Sequence, residues 1–163
     1  MSSPSDPVIV ALEKAEKEIF LAGHLLYVSF EMVKDPKFFV AVFGHIIDSA
    51  KLAVGAILGF ERMNRRIPPY PSDFQSQVRV LMDIGEGIGI SEKNIKLLGD
   101  LSKIKYHGDE GVINFRRGDR YILATSDYSM ETLDRERLKS FLHETKDFIL
   151  SVRGRISGKK QAW

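Results

Sequence analysis

His45, Asp48 and Lys51 stand three residues apart inside FFVAVFGHIIDSAKLAVGAILGF (residues 38–60), a run that is otherwise apolar. On a helix such a spacing sets an imidazole, a carboxylate and an ammonium along one side, each within reach of the next. That line can serve as an acid–base or nucleotide-contacting constellation. It can equally be an ion pair that fixes helix register, or the wet edge of a dimer interface. Unpaired buried charge is too costly to keep. The residues therefore predict an interior polar line that meets partners.

A second group of chemical interest is Arg116, Arg117, Arg120 and Tyr121, gathered around Gly118-Asp119. Glycine in the first place of a two-residue loop suits a type II′ hairpin turn. The register then pairs Phe115 with Ile122 and Ile113 with Ala124 on an apolar face, and sets Arg116 opposite Tyr121 on the other. Arg117 faces Arg120, an unfavourable opposition of like charges unless Asp119 or an outside anion sits between them. Guanidinium groups beside a stacking ring are the mix used on phosphates and unpaired bases. A solvated hairpin end is the other reading of the same residues.

Several chemistries fail on spacing. Zero cysteines exclude disulfides, thiolate metal sites and cysteine nucleophiles. No glutamate has a histidine three residues later, and His-Glu-x-x-His is missing, so no metal site is predicted. Gly85-Glu86-Gly87-Ile88-Gly89 follows a helix pattern and lacks the third glycine of a dinucleotide loop. Neither a phosphate loop nor a Gly-x-Ser-x-Gly elbow occurs, and no cofactor is expected. Twenty-four basic against 22 acidic side chains give a net charge of +2, too little to imply a nucleic-acid partner from bulk charge.

The elements that must position these groups are helical. With 163 residues the chain suits one domain: a polar tail over 1–6, a bundle over 7–156 and a basic tail over 157–163. Asp6-Pro7 and Asp35-Pro36 each read as N-cap and first helical residue. Val8, Leu12, Ala15, Ile19, Ala22, Leu26 and Ser29 form a seam along the first helix. The second helix buries Phe39, Val42, Ile46, Ala50, Ala53 and Ile57, and Gly55-x-x-x-Gly59 suggests a close helix crossing. Its apolar run has transmembrane length, but Asp48 and Lys51 would each cost about 2.5–3.5 kcal/mol in a bilayer. No membrane span is predicted. No secretory signal is read at Met1, which leaves the cytoplasm as the expected location.

Pro68-Pro69-Tyr70-Pro71 stops the second helix after Arg62–Arg66. Ser72 with Gln75 reads as a capping box for a third helix carrying Phe74, Val78, Leu81 and Ile84 inward. Ser91 caps a fourth, with Ile95, Leu98, Leu101 and Ile104, that runs until Gly108. After the hairpin a last helix extends from about Leu133 through Leu138, Phe141, Phe148 and Val152. The fold class is all-α: an antiparallel bundle of about five helices with one small β-hairpin before the last.

Two long antiparallel helices, a second helix of the His-x-x-Asp-Ser-Ala-x-x-Ala type at His45–Ala53, a late helix ending near a histidine and then a closing helix together resemble the HEPN superfamily. Its helical-bundle domains occur in RNA-cleaving toxins, antitoxin-paired proteins and nucleotide-binding regulators. The resemblance covers most of Val8–Val152 in organisation. Ribonucleases of the family carry an arginine four to six positions before a histidine near the end of a late helix. The counterpart here is His107, preceded by Ser102-Lys103-Ile104-Lys105-Tyr106 without the arginine. Arg137 and His143 match the spacing literally, though within the closing helix. The resemblance thus implies an RNA- or nucleotide-binding protein more than a catalytic one, with Lys103, Lys105 and His107 joining the hairpin arginines. The alternatives are a metal-independent ribonuclease using His107 or His143, and a structural module. The central helix, with small residues and a polar stripe, suggests a homodimer. RNA, a nucleotide or a second protein are the other partners this reading allows.

Overall fold

Asp6 opens the first helix: its side chain accepts a hydrogen bond from Val8 N at 2.9 Å, and Pro7 takes the first helical position. The computed structural model describes residues 6–35, 37–104, 114–117, 120–124 and 130–158, and only the backbone of 37, 114–117, 120–124, 130 and 131. Helix α1 (Pro7–His24) passes without a break through one π-turn, Leu25–Ser29, into a last turn α2 (Phe30–Val33). Val8, Leu12, Ala15, Ile19, Ala22 and Leu26 of the expected seam are buried; Ser29 is half-buried. At Lys34 the backbone turns through a left-handed conformation, φ 59°. Helix α3 (Lys37–Met63) then returns along α1.

Helix α3 is the centre of the bundle, packed against α1, α4 and α6. All six of its expected inward residues, Phe39, Val42, Ile46, Ala50, Ala53 and Ile57, are buried. By length and composition alone α3 could cross a membrane, and 61% of its apolar window is buried within the protein. The polar line is not interior. Asp48 and Lys51 are exposed, and only His45 is half-buried. Steps of three residues rotate by about 300°, so beyond His45 the line drifts off the α1 seam onto a strip that the described residues leave open. The close crossing at Gly55-x-x-x-Gly59 is likewise absent: a Cβ on Gly55 would meet nothing within 4 Å, and one on Gly59 would sit 3.5 Å from Val8 Cγ2, an ordinary contact. The small residues packed inward are Ala50, Ala53 and Ala56, already covered within the chain.

Helix α4 (Phe74–Ile84) is capped by Asp73, whose carboxylate accepts from Ser76 N at 2.9 Å, and not by Ser72. A 3₁₀ turn, Gly85–Ile88, follows, and Gly89 at φ 83° ends it. Ser91 caps α5 (Glu92–Lys103) as expected, with Asn94 N 3.1 Å from its Oγ. This helix stops at Lys103, short of Gly108. Strands β1 (Asn114–Arg117) and β2 (Arg120–Ala124) pair antiparallel. An unexpected third strand, β3 (Met130–Leu133), pairs with β2 and feeds directly into α6 (Arg135–Ser157). Asp134 caps α6 through Arg137 N at 2.8 Å, so the last helix starts two residues later than the pattern suggested. The fold is an all-α bundle with a small sheet before its final helix. Leu133, Leu138, Phe141, Phe148 and Val152 join the core, with the rings of Phe43 and Phe141 centred 5.8 Å apart.

Candidate functional site

In the sheet, the ladder sets Arg116 opposite Tyr121 and Arg117 opposite Arg120, the register anticipated for the hairpin. Phe115 lies opposite Ile122 as well; Ile113, Gly118 and Asp119 fall outside the described residues. The third strand adds a placement that the hairpin pattern lacked. Tyr121 also opposes Leu133, which brings the start of β2 beside Asp134 and the first turn of α6. Arg135 in that turn pairs with Glu31 of α2, and Lys34 Nζ reaches the same carboxylate at 2.6 Å. The ladder thus places the three strand arginines in the sheet that leads into α6. The hydrogen bond from Lys34, with the charges of Arg135 and Lys34, holds the Glu31 carboxyl below the usual carboxylate range.

Of the other expected contacts, Lys103 is exposed at the C-terminal end of α5, whereas Lys105 and His107 lie outside the described residues. The His45, Asp48, Lys51 line is split by its surroundings. His45 Nδ1 pairs with Glu18 Oε2 of α1, a contact between two helices. A carboxylate that orients an imidazole is one part of acid–base machinery, and it is equally a tie between helices. Lys51 lines a cleft of about 520 Å³ over α1, α3 and the start of α4, its Nζ 5.9 Å from the centre of the Phe74 ring. The structure does not join the three into one constellation.

Arg137 and His143 are not brought together either. The Arg137 guanidinium stacks over the Phe141 ring at 4.2 Å, while His143 is exposed further along α6. Six residues on one helix are about 120° apart in direction. Among the described residues no group of three or more His, Asp or Glu side chains could hold a metal ion.

The groups that sequence reasoning missed are ion pairs between helices. Glu61, 1% exposed, receives Arg66 Nε at 2.6 Å and Arg155 Nε at 2.7 Å. Burial pushes its carboxyl up, but the hydrogen bonds from Arg155 and Arg66 outweigh this and hold it below the usual range. Arg153 makes a bidentate contact with Glu16 of α1, at 2.5 and 2.6 Å. Glu61 sits seven residues after Val54 and four after Ile57, and so continues the buried row. That signal was available, but the basic residues that follow Glu61 draw attention to charge rather than to phase.

No protein-family model matches the chain, and no curated protein matches its sequence.

Proposed function

We propose that this chain is a cytoplasmic, metal-independent RNA- or nucleotide-binding protein of HEPN-like organisation, without catalysis of its own. The carrying observation is the strand register that opposes Arg117 to Arg120 and Arg116 to Tyr121 beside the first turn of α6. Two arginines at directly opposed positions are tolerated when an anion lies between them, and an RNA phosphate is such an anion. The separation of Arg137 from His143 speaks against the ribonuclease reading at that pair. A structural interaction module is the second reading. It is favoured by the Glu16–Arg153 and Glu61–Arg155 pairs, which tie helix to helix.

Anisotropy of a labelled single-stranded RNA, titrated between 50 and 200 mM salt, tests the proposal. On a log–log plot, each phosphate contact on a single strand contributes a slope of about −0.7. Replacing Arg117 and Arg120 together by Ala should weaken binding and flatten the slope by about 1.4, with circular dichroism unchanged. Unaltered affinity and slope in that variant would remove the sheet from the reading. Wild-type protein with no salt-sensitive RNA binding at low ionic strength would end the nucleic-acid proposal.

A further inference from the structure

The first helix carries an apolar face that stands exposed among the described residues. Phe20 is 69% exposed, Tyr27 48%, Val28 43%, Met32 80% and Val33 59%, with Leu21 beside them at 37%. This face is opposite the buried seam of Ala15, Ile19, Ala22 and Leu26. The π-turn at Leu25–Ser29 is what keeps it straight. In an uninterrupted α-helix a row spaced by four drifts about 40° at each step, and a wider turn takes some of that drift back. Phe20, His24, Val28 and Met32 therefore form one ridge along the outside of the bundle.

We propose that this ridge is the contact surface for a second copy of the chain, arranged about a two-fold axis that passes between His24 and Val28. Three observations commit it to that occupant. First, the area is right. Aromatic side chains such as Phe20 and Tyr27 bury about 150–250 Å² each, and the six side chains at these exposures present on the order of 600 Å², the upper end for the largest apolar patch of a typical monomer. Two such faces would remove about 1,200 Å² or more, the range of a specific stable interface. Second, the ridge is complementary to itself. An antiparallel crossing lays Phe20 against Met32 of the second copy, an aromatic ring against a thioether, and His24 against Val28. Third, two of the basic residues beside it are already paired, Lys34 and Arg135 both meeting Glu31, where an anionic membrane surface would call for free basic residues. This places the two-fold on the outer face of the first helix.

The proposal stands apart from the RNA reading and is tested without RNA. Light scattering after size exclusion should give about twice the 18.5 kDa chain mass. Phe20→Glu combined with Met32→Glu should give a monomer with unchanged helical circular dichroism, because both side chains are already in water. As the chain has no cysteine, single cysteines report position cleanly. As His24 of one copy faces Val28 of the other, a mixture of His24→Cys and Val28→Cys chains should form a disulfide-linked dimer on mild oxidation, and Met82→Cys, exposed on α4, should not. A wild-type monomer at 100 μM, a dimer indifferent to the Phe20/Met32 change, or equal cross-linking at Met82 would overturn it. So would monomeric protein that binds anionic vesicles through Phe20, which would assign the ridge to lipid.

Discussion

Glu61 shows how much a single carboxylate can hold together. It is buried at the C-terminal end of α3, bonded to Arg66 from the following turn and to Arg155 from α6. Removing one partner of a buried pair costs about 3–5 kcal/mol. Both arginines are about a third exposed or more, so they recover some hydration. Glu61→Gln should therefore cost about 2–3 kcal/mol in urea unfolding, a discount on that range. Its pH dependence has a definite sign. The folded carboxyl titrates below the usual range, so its contribution is complete above the unfolded value and is lost as pH falls through the folded one. The stability gap between wild type and Glu61→Gln should stay constant from pH 7 to about 5 and begin to narrow below about pH 4.

At the scale of elements, helix starts depended on which of two adjacent polar residues takes the cap. Ser72 with Gln75 fits the capping-box pattern, but Asp73 holds the Ser76 amide, and that bond lowers the Asp73 pKa. Either residue satisfies the pattern; the path of the chain out of Pro68-Pro69-Tyr70-Pro71 decides between them. Asp73→Ala should cost about 1 kcal/mol, a drop of about 2–4 °C in melting temperature, and Ser72→Ala should leave the melt unchanged. Differential scanning fluorimetry of the two variants separates them. β3 was missed for another reason. Met130–Leu133 is only four residues long and carries Glu131, a poor strand former, and its strand state comes from pairing with β2.

At the scale of the whole molecule, the bundle is closed by charges of opposite sign on different helices. Acidic groups of the N-terminal hairpin, Glu16, Glu31 and Glu61, meet Arg153, Arg135 and Arg155 of α6. These ties hold the last helix in register over α1 and α3 while the apolar core supplies most of the driving force. No metal is needed for such an arrangement. Excess chelator should leave the melting temperature within 1 °C of untreated protein, and a larger fall would point to a ligand set beyond the described residues.

The all-α class, the seam of the first helix, the inner face of α3 and the Arg116–Tyr121 and Arg117–Arg120 pairings were legible in residue types and spacing alone. Each follows from the period of an element or the geometry of a two-residue turn, which are properties of neighbouring residues. Only the tertiary structure decided that His45 meets Glu18, that Asp48 and Lys51 face water, and that Glu61 is the buried charge. Period assigns a residue to a side of its helix, but which sides are covered depends on where the other helices come to rest. For α3 that left one open strip, and the polar line lies along it.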